Sequence, residues 1–103
     1  MNYVYIALCS DNTLYTGWTT DVKRREKTHN LGKGAKYTKS RLPIKIVYIE
    51  EFEIKQEALK REYTIKRLSK KQKEELILNY RREIHLRANK DAPASLKVML
   101  DDE

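Results

Sequence analysis

The sequence predicts a single α+β domain with elements in the order β-β-α-β-α-α. Two short runs rich in aromatic and β-branched residues, Tyr3–Cys9 and Thr13–Gly17, flank the turn cluster Ser10-Asp11-Asn12 and read as a hairpin. A third such run, Ile44–Phe52, follows Pro43. The intervening and following stretches carry helix-start signals, at Thr20-Asp21 and at Ser69-Lys-Lys-Gln72. With 103 residues the chain suits one domain with a modest core.

Within the hairpin, alternation puts Tyr3, Tyr5, Ala7 and Cys9 on one face of the first strand, and Thr13, Tyr15 and Gly17 on one face of the second. Tyr5 and Tyr15 can then be cross-strand neighbours, in a register that the letters leave open. Gly17 is expected to end the second strand, its missing Cβ allowing a turn or a close approach. Thr20 is the expected N-cap of a helix from about Asp21 to His29. Val22 is that helix's only aliphatic residue, and Arg25 and His29 share its face at i+3 and i+7. A helix anchored by Val22 turns both toward the sheet. Tyr5, Tyr15 and Arg25 fall at ten-residue intervals.

Residues 31–41 read as a basic loop with two glycines. Beyond the third strand, Glu50, Glu51 and Glu53 mark its far end as solvated. The second helix spans about Lys55 to Leu68, with Ala58, Leu59, Tyr63 and Ile65 as its apolar stripe. Glu62 lies four residues from Ala58 and three from Ile65, a costly place for a carboxylate unless a cation meets it. A capping box at Ser69 and Gln72 opens the third helix, which packs through Leu76, Ile77, Tyr80 and Ile84. Residues 1–85 form the expected domain. From about Arg87 the pattern fails, so residues 86–103 are expected to be a loose tail in which Leu96–Leu100 could dock.

The charge is confined. Between Asp21 and Lys45 nine basic residues face two acidic ones, which accounts for the whole net charge of +7. Such a patch is the footprint of a polyanionic partner, and nucleic acid is the favoured one. It falls on Lys23, Arg24, Lys27, Lys33, Lys36, Lys39 and Arg41, with Tyr37 among them. Cys9 stands alone, which excludes an internal disulfide and agrees with a reducing cytoplasm. With one cysteine and only His29 and His85, a structural zinc site lacks ligands. No apolar run approaches the roughly 20 residues of a membrane span, and no targeting segment is expected.

Val4-Tyr5, Tyr15-Thr16-Gly17 and Asp21-x-x-Arg24-Arg25 resemble the motifs of the GIY-YIG nuclease superfamily. The loop Gly-Lys-Gly-Ala-Lys-Tyr-Thr, TDVKRREKTHN and LKRE are similar to its small stand-alone bacterial members, over roughly residues 3 to 80. The resemblance implies a small three-stranded antiparallel sheet flanked by three helices and a metal-dependent endonuclease. It implies catalytic roles for Tyr5, Tyr15, Arg25 and His29, and a metal-binding role for Glu62 with one Mg²⁺ or Mn²⁺. In that scheme Arg25 grips the scissile phosphate, and Tyr5 deprotonates or orients water, its acidity raised by the nearby charges. The two tyrosines could exchange roles. Tyr3 replaces the first motif's glycine, Trp18 stands where many members have lysine, and Glu74 stands where some have asparagine.

Each residue alone also has a structural role open to it. Tyr5 and Tyr15 fit a strand core, Arg25 a solvated surface, and Glu62 an ion pair with Lys66. His29 could cap its helix, and Cys9 could be a small core residue. Three functions follow. The first is a DNA endonuclease of low sequence specificity in repair or recombination, cytoplasmic and monomeric, acting on branched or damaged DNA. The others are a non-catalytic nucleic-acid-binding module and a protein-interaction subunit of a repair complex.

Overall fold

The computed structural model describes the backbone of residues 1–91 and the side chains of residues 1–87. Its elements are β1 (Asn2–Leu8), β2 (Leu14–Thr19), α1 (Val22–Asn30), α2 (Lys36–Lys39), β3 (Lys45–Phe52), α3 (Lys55–Lys66) and α4 (Lys70–Asp91). The sheet is antiparallel with strand order β2-β1-β3, so the most apolar strand lies in the middle. Val4, Tyr5, Ile6 and Ala7 are fully buried there.

Because β1 is covered on both sides, its alternation feeds two cores. Val4 and Ile6 join Tyr48, Ala58 and Ile65, with Leu76, Ile77 and Tyr80 of α4 packed against them. Tyr5, Ala7 and Cys9 join Ile44 on the opposite face, beside Tyr15, Leu42 and Ile46. The first core is a packing core. The second is where the candidate site lies.

The hairpin closes at Asn12, whose φ of 68° lies in the left-handed region that asparagine tolerates. Asp11 Oδ1 accepts from Thr13 N at 3.1 Å and Thr13 Oγ1 at 2.6 Å. The resulting register sets Tyr5 opposite Gly17 and Ala7 opposite Tyr15. Gly17 therefore does not end the strand; β2 runs on to Thr19, and the glycine serves a close approach within it.

Other boundaries also differ from expectation. Asp21, not Thr20, caps α1: its backbone is extended and its Oδ1 accepts from Arg24 N at 3.1 Å. The expected basic loop contains the one-turn helix α2. Glu50 is not simply solvated, since it accepts from Tyr48 Oη and from Arg61 Nε at 3.0 Å. The apolar stripe of α3 is narrower than its sequence suggests. Ala58 and Ile65 are buried, whereas Leu59 and Tyr63 are exposed, because a sheet only three strands wide covers a narrow strip of helix.

The capping box holds: Ser69 Oγ accepts from Gln72 N at 3.2 Å, and Gln72 Oε1 accepts from Ser69 N at 2.9 Å. Helix α4 continues past Arg87 to Asp91, and no proline or glycine stands between Lys70 and Asp91 to interrupt it. The expected docking of Leu96–Leu100 lies outside the described residues. No helix among the described residues is long and apolar enough to cross a membrane.

Candidate active site

Helix α1 is fastened to the start of β3 by two side chains one turn apart. Glu26 Oε2 accepts from Ile46 N at 2.7 Å, while Asn30 accepts from Ile44 N at 2.7 Å and donates to Ile44 O at 3.0 Å. These bonds satisfy strand backbone that the ladder leaves open. They also fix the rotation of α1, so that Arg25 and His29 point at the face of β1 bearing Tyr5.

Tyr5 is fully buried. Its hydroxyl accepts from Arg25 Nε at 3.2 Å and lies 2.8 Å from His29 Nε2. Burial pushes its pKa up to about 12, against the opposing pull of the Arg25 hydrogen bond and charge. Burial thus favours the neutral phenol form of Tyr5 in this setting. The half-exposed partner is Tyr15. Its ring lies 6.3 Å from that of Tyr5 and 5.4 Å, edge-on, from the His29 imidazole.

His29 is buried completely, and burial together with the Arg25 charge holds its pKa below 6.5. Its other ring nitrogen, Nδ1, meets Thr38 Oγ1 at 2.8 Å. The ring is enclosed tightly: a Cβ at Gly34 would stand 2.7 Å from His29 Cγ. A helix-capping role for His29 is therefore set aside, since the imidazole faces the sheet. Burial disfavours the charge of Arg25, but the neighbouring tyrosine oxygens outweigh it, and its pKa is raised.

Glu62 lies on α3 between Ala58 and Ile65, with 18% of its side chain exposed, and pairs with Lys66 Nζ at 3.3 Å. Its negative charge also helps to raise the Tyr5 pKa. Among the described residues no three His, Cys, Asp or Glu side chains gather into a metal cage. A lone, half-buried carboxylate nevertheless suits Mg²⁺, which binds through one or two carboxylates and completes its shell with water and substrate phosphate oxygens.

Lys23, Arg24, Lys27, Lys33, Lys36 and Lys39 are all exposed, on the α1–α2 segment that carries Arg25 and His29. Two further residues expected to bind nucleic acid, Arg41 and Tyr37, also make contacts within the domain. Arg41 donates to Asp11 Oδ2 at 2.9 Å and to Tyr37 O at 2.8 Å, tying the hairpin turn to α2. Its guanidinium lies 3.9 Å from the Tyr37 ring centroid, and Tyr15 stacks with Tyr37 at 6.0 Å. Tyr37 thus already has stacking partners.

Sequence reasoning missed Glu26, Asn30, Gly34 and Thr38. Only Gly34 and Thr38 had a signal, as members of the Gly-Lys-Gly-Ala-Lys-Tyr-Thr loop. Asn30 and Glu26 act through backbone that is distant in sequence.

The profile of the GIY-YIG catalytic domain matches residues 1–75. A UPF0213 protein of Clostridium perfringens is 54% identical over 93 residues, covering 84% of this chain and 100% of that one. A UPF0213 protein of Halobacterium salinarum is 55% identical over 76 residues, covering 74% and 99% of the two chains. A protein of E. faecalis, solved by solution NMR, is similar at 41% identity with a TM-score of 0.53, covering 77% of this chain and 84% of that chain. The tyrosines, arginine and histidine that share one face of the sheet are thus set in a known framework, and the chain belongs to the GIY-YIG catalytic domain family, among its small UPF0213 proteins.

Proposed function

We propose that this protein is a metal-dependent endonuclease that hydrolyses DNA phosphodiester bonds with low sequence specificity, in the cytoplasm. The observation that carries this reading is the convergence of Arg25, His29 and Tyr5 in one buried hydrogen-bonded group, with Tyr15 beside it and exposed lysines around it. A merely structural core has little use for an arginine and a histidine there. Branched or damaged DNA in repair or recombination is the proposed substrate class, since lysines grip any phosphate backbone without reading its bases.

With contacts to the oxygens of Tyr5 and Tyr15, the five-donor guanidinium of Arg25 keeps further N–H groups to grip the scissile phosphate and offset charge as it develops. Tyr5 acts as the anchor of that guanidinium. Half-exposed Tyr15 meets the attacking water and aims its oxygen at phosphorus. The water oxygen forms a bond to phosphorus as its proton passes to bulk solvent, the bond from phosphorus to the leaving oxygen breaks, and that oxygen takes a proton from solvent. Glu62 would hold the divalent ion, giving up Lys66 to do so. When bound, the ion would make the attacking water more acidic and neutralise phosphate charge. Lys33 and Lys36 would position the flanking backbone.

The test is cleavage of labelled single-stranded, duplex, flapped and four-way DNA with Mg²⁺ or Mn²⁺, with Glu62→Ala and Arg25→Ala alongside. Metal-dependent cutting that both variants lose supports the proposal. Salt-sensitive binding with no substrate cut would overturn it and leave a nucleic-acid-binding module.

A further inference from the structure

Thr38 is buried completely, on a single turn of helix whose other residues, Lys36, Tyr37 and Lys39, are exposed. Its Oγ1 lies 2.8 Å from His29 Nδ1 and 3.0 Å from the Ala35 carbonyl oxygen. Together with the contacts of Tyr5, this makes one continuous chain of four hydrogen bonds: Arg25 to Tyr5, Tyr5 to His29, His29 to Thr38, and Thr38 to Ala35.

The two ends of the chain have fixed character. Arg25 Nε–H can only donate, and a carbonyl oxygen can only accept. Between them lie a phenol, an imidazole and an alcohol, and each of these, when neutral, has one proton to give. Four bonds are therefore served by four protons, and one direction fills every bond. Arg25 donates to Tyr5, Tyr5 donates to His29 Nε2, His29 Nδ1–H donates to Thr38, and Thr38 donates to Ala35.

The opposite tautomer breaks the chain. Nε2–H would then donate to the Tyr5 oxygen, which would accept from Arg25 as well, and the Tyr5 proton would have no acceptor within the chain. A buried donor left without an acceptor is expensive. Gly34 packs closely on the ring, for a Cβ there would collide with His29 Nδ1, and turning the ring over would put carbon at both hydrogen-bonding positions.

We propose that Thr38 is a positioning residue: its hydroxyl fixes the Nδ1–H tautomer of His29, and through it turns the Tyr5 oxygen toward Arg25. The role in catalysis rests on the nuclease reading above, because what Thr38 ultimately positions is the phosphate-gripping guanidinium. Thr38 itself touches neither substrate nor the reacting atoms.

Long-range ¹H–¹⁵N correlation spectra of the full chain report the tautomer directly. His85→Gln identifies the signals of His29, the other histidine of the chain. Wild type and Thr38→Ser are expected to hold the proton on Nδ1. Thr38→Val, similar in shape but without a hydroxyl, is expected to move it to Nε2 and to slow DNA cleavage about 10- to 100-fold, the range known for histidines of metal sites that lose the partner orienting them. Thr38→Ser should restore both. A wild-type His29 protonated on Nε2 overturns the proposal, and so does a valine variant in which tautomer and cleavage do not change together. If the valine variant fails to fold, the wild-type and serine spectra still decide the direction of the chain. A wild type that cuts no DNA removes the nuclease reading instead, and the spectra alone then judge the hydrogen-bond assignment.

Discussion

Gly17 lies directly across the β1–β2 ladder from Tyr5, and a Cβ at position 17 would stand 2.6 Å from Tyr5 Cζ. The glycine is the space into which the phenol lies. Gly17→Ala should displace the ring and destabilise the fold by about 1–3 kcal/mol, the usual result of overpacking. Cleavage should fall with it, because Arg25 loses its anchor. Denaturant unfolding and a cleavage assay on the same preparation check both.

The two tyrosines should separate when each hydroxyl is removed. Tyr5→Phe leaves Arg25 Nε and His29 Nε2 without their partner and should cost about 1–3 kcal/mol. Tyr15→Phe should change stability by no more than about 0.5 kcal/mol yet abolish most cleavage. Equal stability losses in the two variants would count against the division between anchor and water-facing residue.

Acid should weaken the fold through His29. Its folded pKa lies below 6.5, so as the pH falls the unfolded chain takes the proton first. The stability contributed by neutral His29 is complete above pH 6.5 and is lost as the pH falls through the lower folded value. Melting temperatures followed from about pH 7.5 down to about pH 5 should show this decline. His29→Gln should be less stable throughout and flatter across the same window.

Salt dependence should sort the basic residues. Each of Lys33→Ala and Lys36→Ala should lower the slope of log binding against log salt on duplex DNA by about 0.9. Arg41→Ala should leave the slope nearly unchanged and reduce stability instead, since it removes the tie between Asp11 and Tyr37.

Much of this arrangement was legible in the sequence because it rests on short periodicities. The three strands, the Ser69 capping box and the inward turn of Arg25 and His29 follow from spacings of two, three, four or seven residues. Glu62 at the margin of a buried stripe was legible for the same reason. Thr38 was not: no period runs through a one-turn helix in a lysine-rich loop. The true task of Gly17 depends on hairpin register, which pairs it with Tyr5 only once the turn at Asn12 is known. Leu59 and Tyr63 misled because an apolar stripe is a property of the helix alone, whereas its burial depends on the width of the sheet beneath.

Strand β1 sends Val4 and Ile6 into one core and Tyr5 and Ala7 into the other. It therefore has a reading frame of two. Inserting one residue before Tyr5 would present the phenol to α3 and α4 and set an aliphatic side chain against Arg25, exchanging site for packing along the whole strand. Inserting two would restore the faces. Such a chain can exchange many of its letters and still keep its chemistry, but it cannot change the parity of their count.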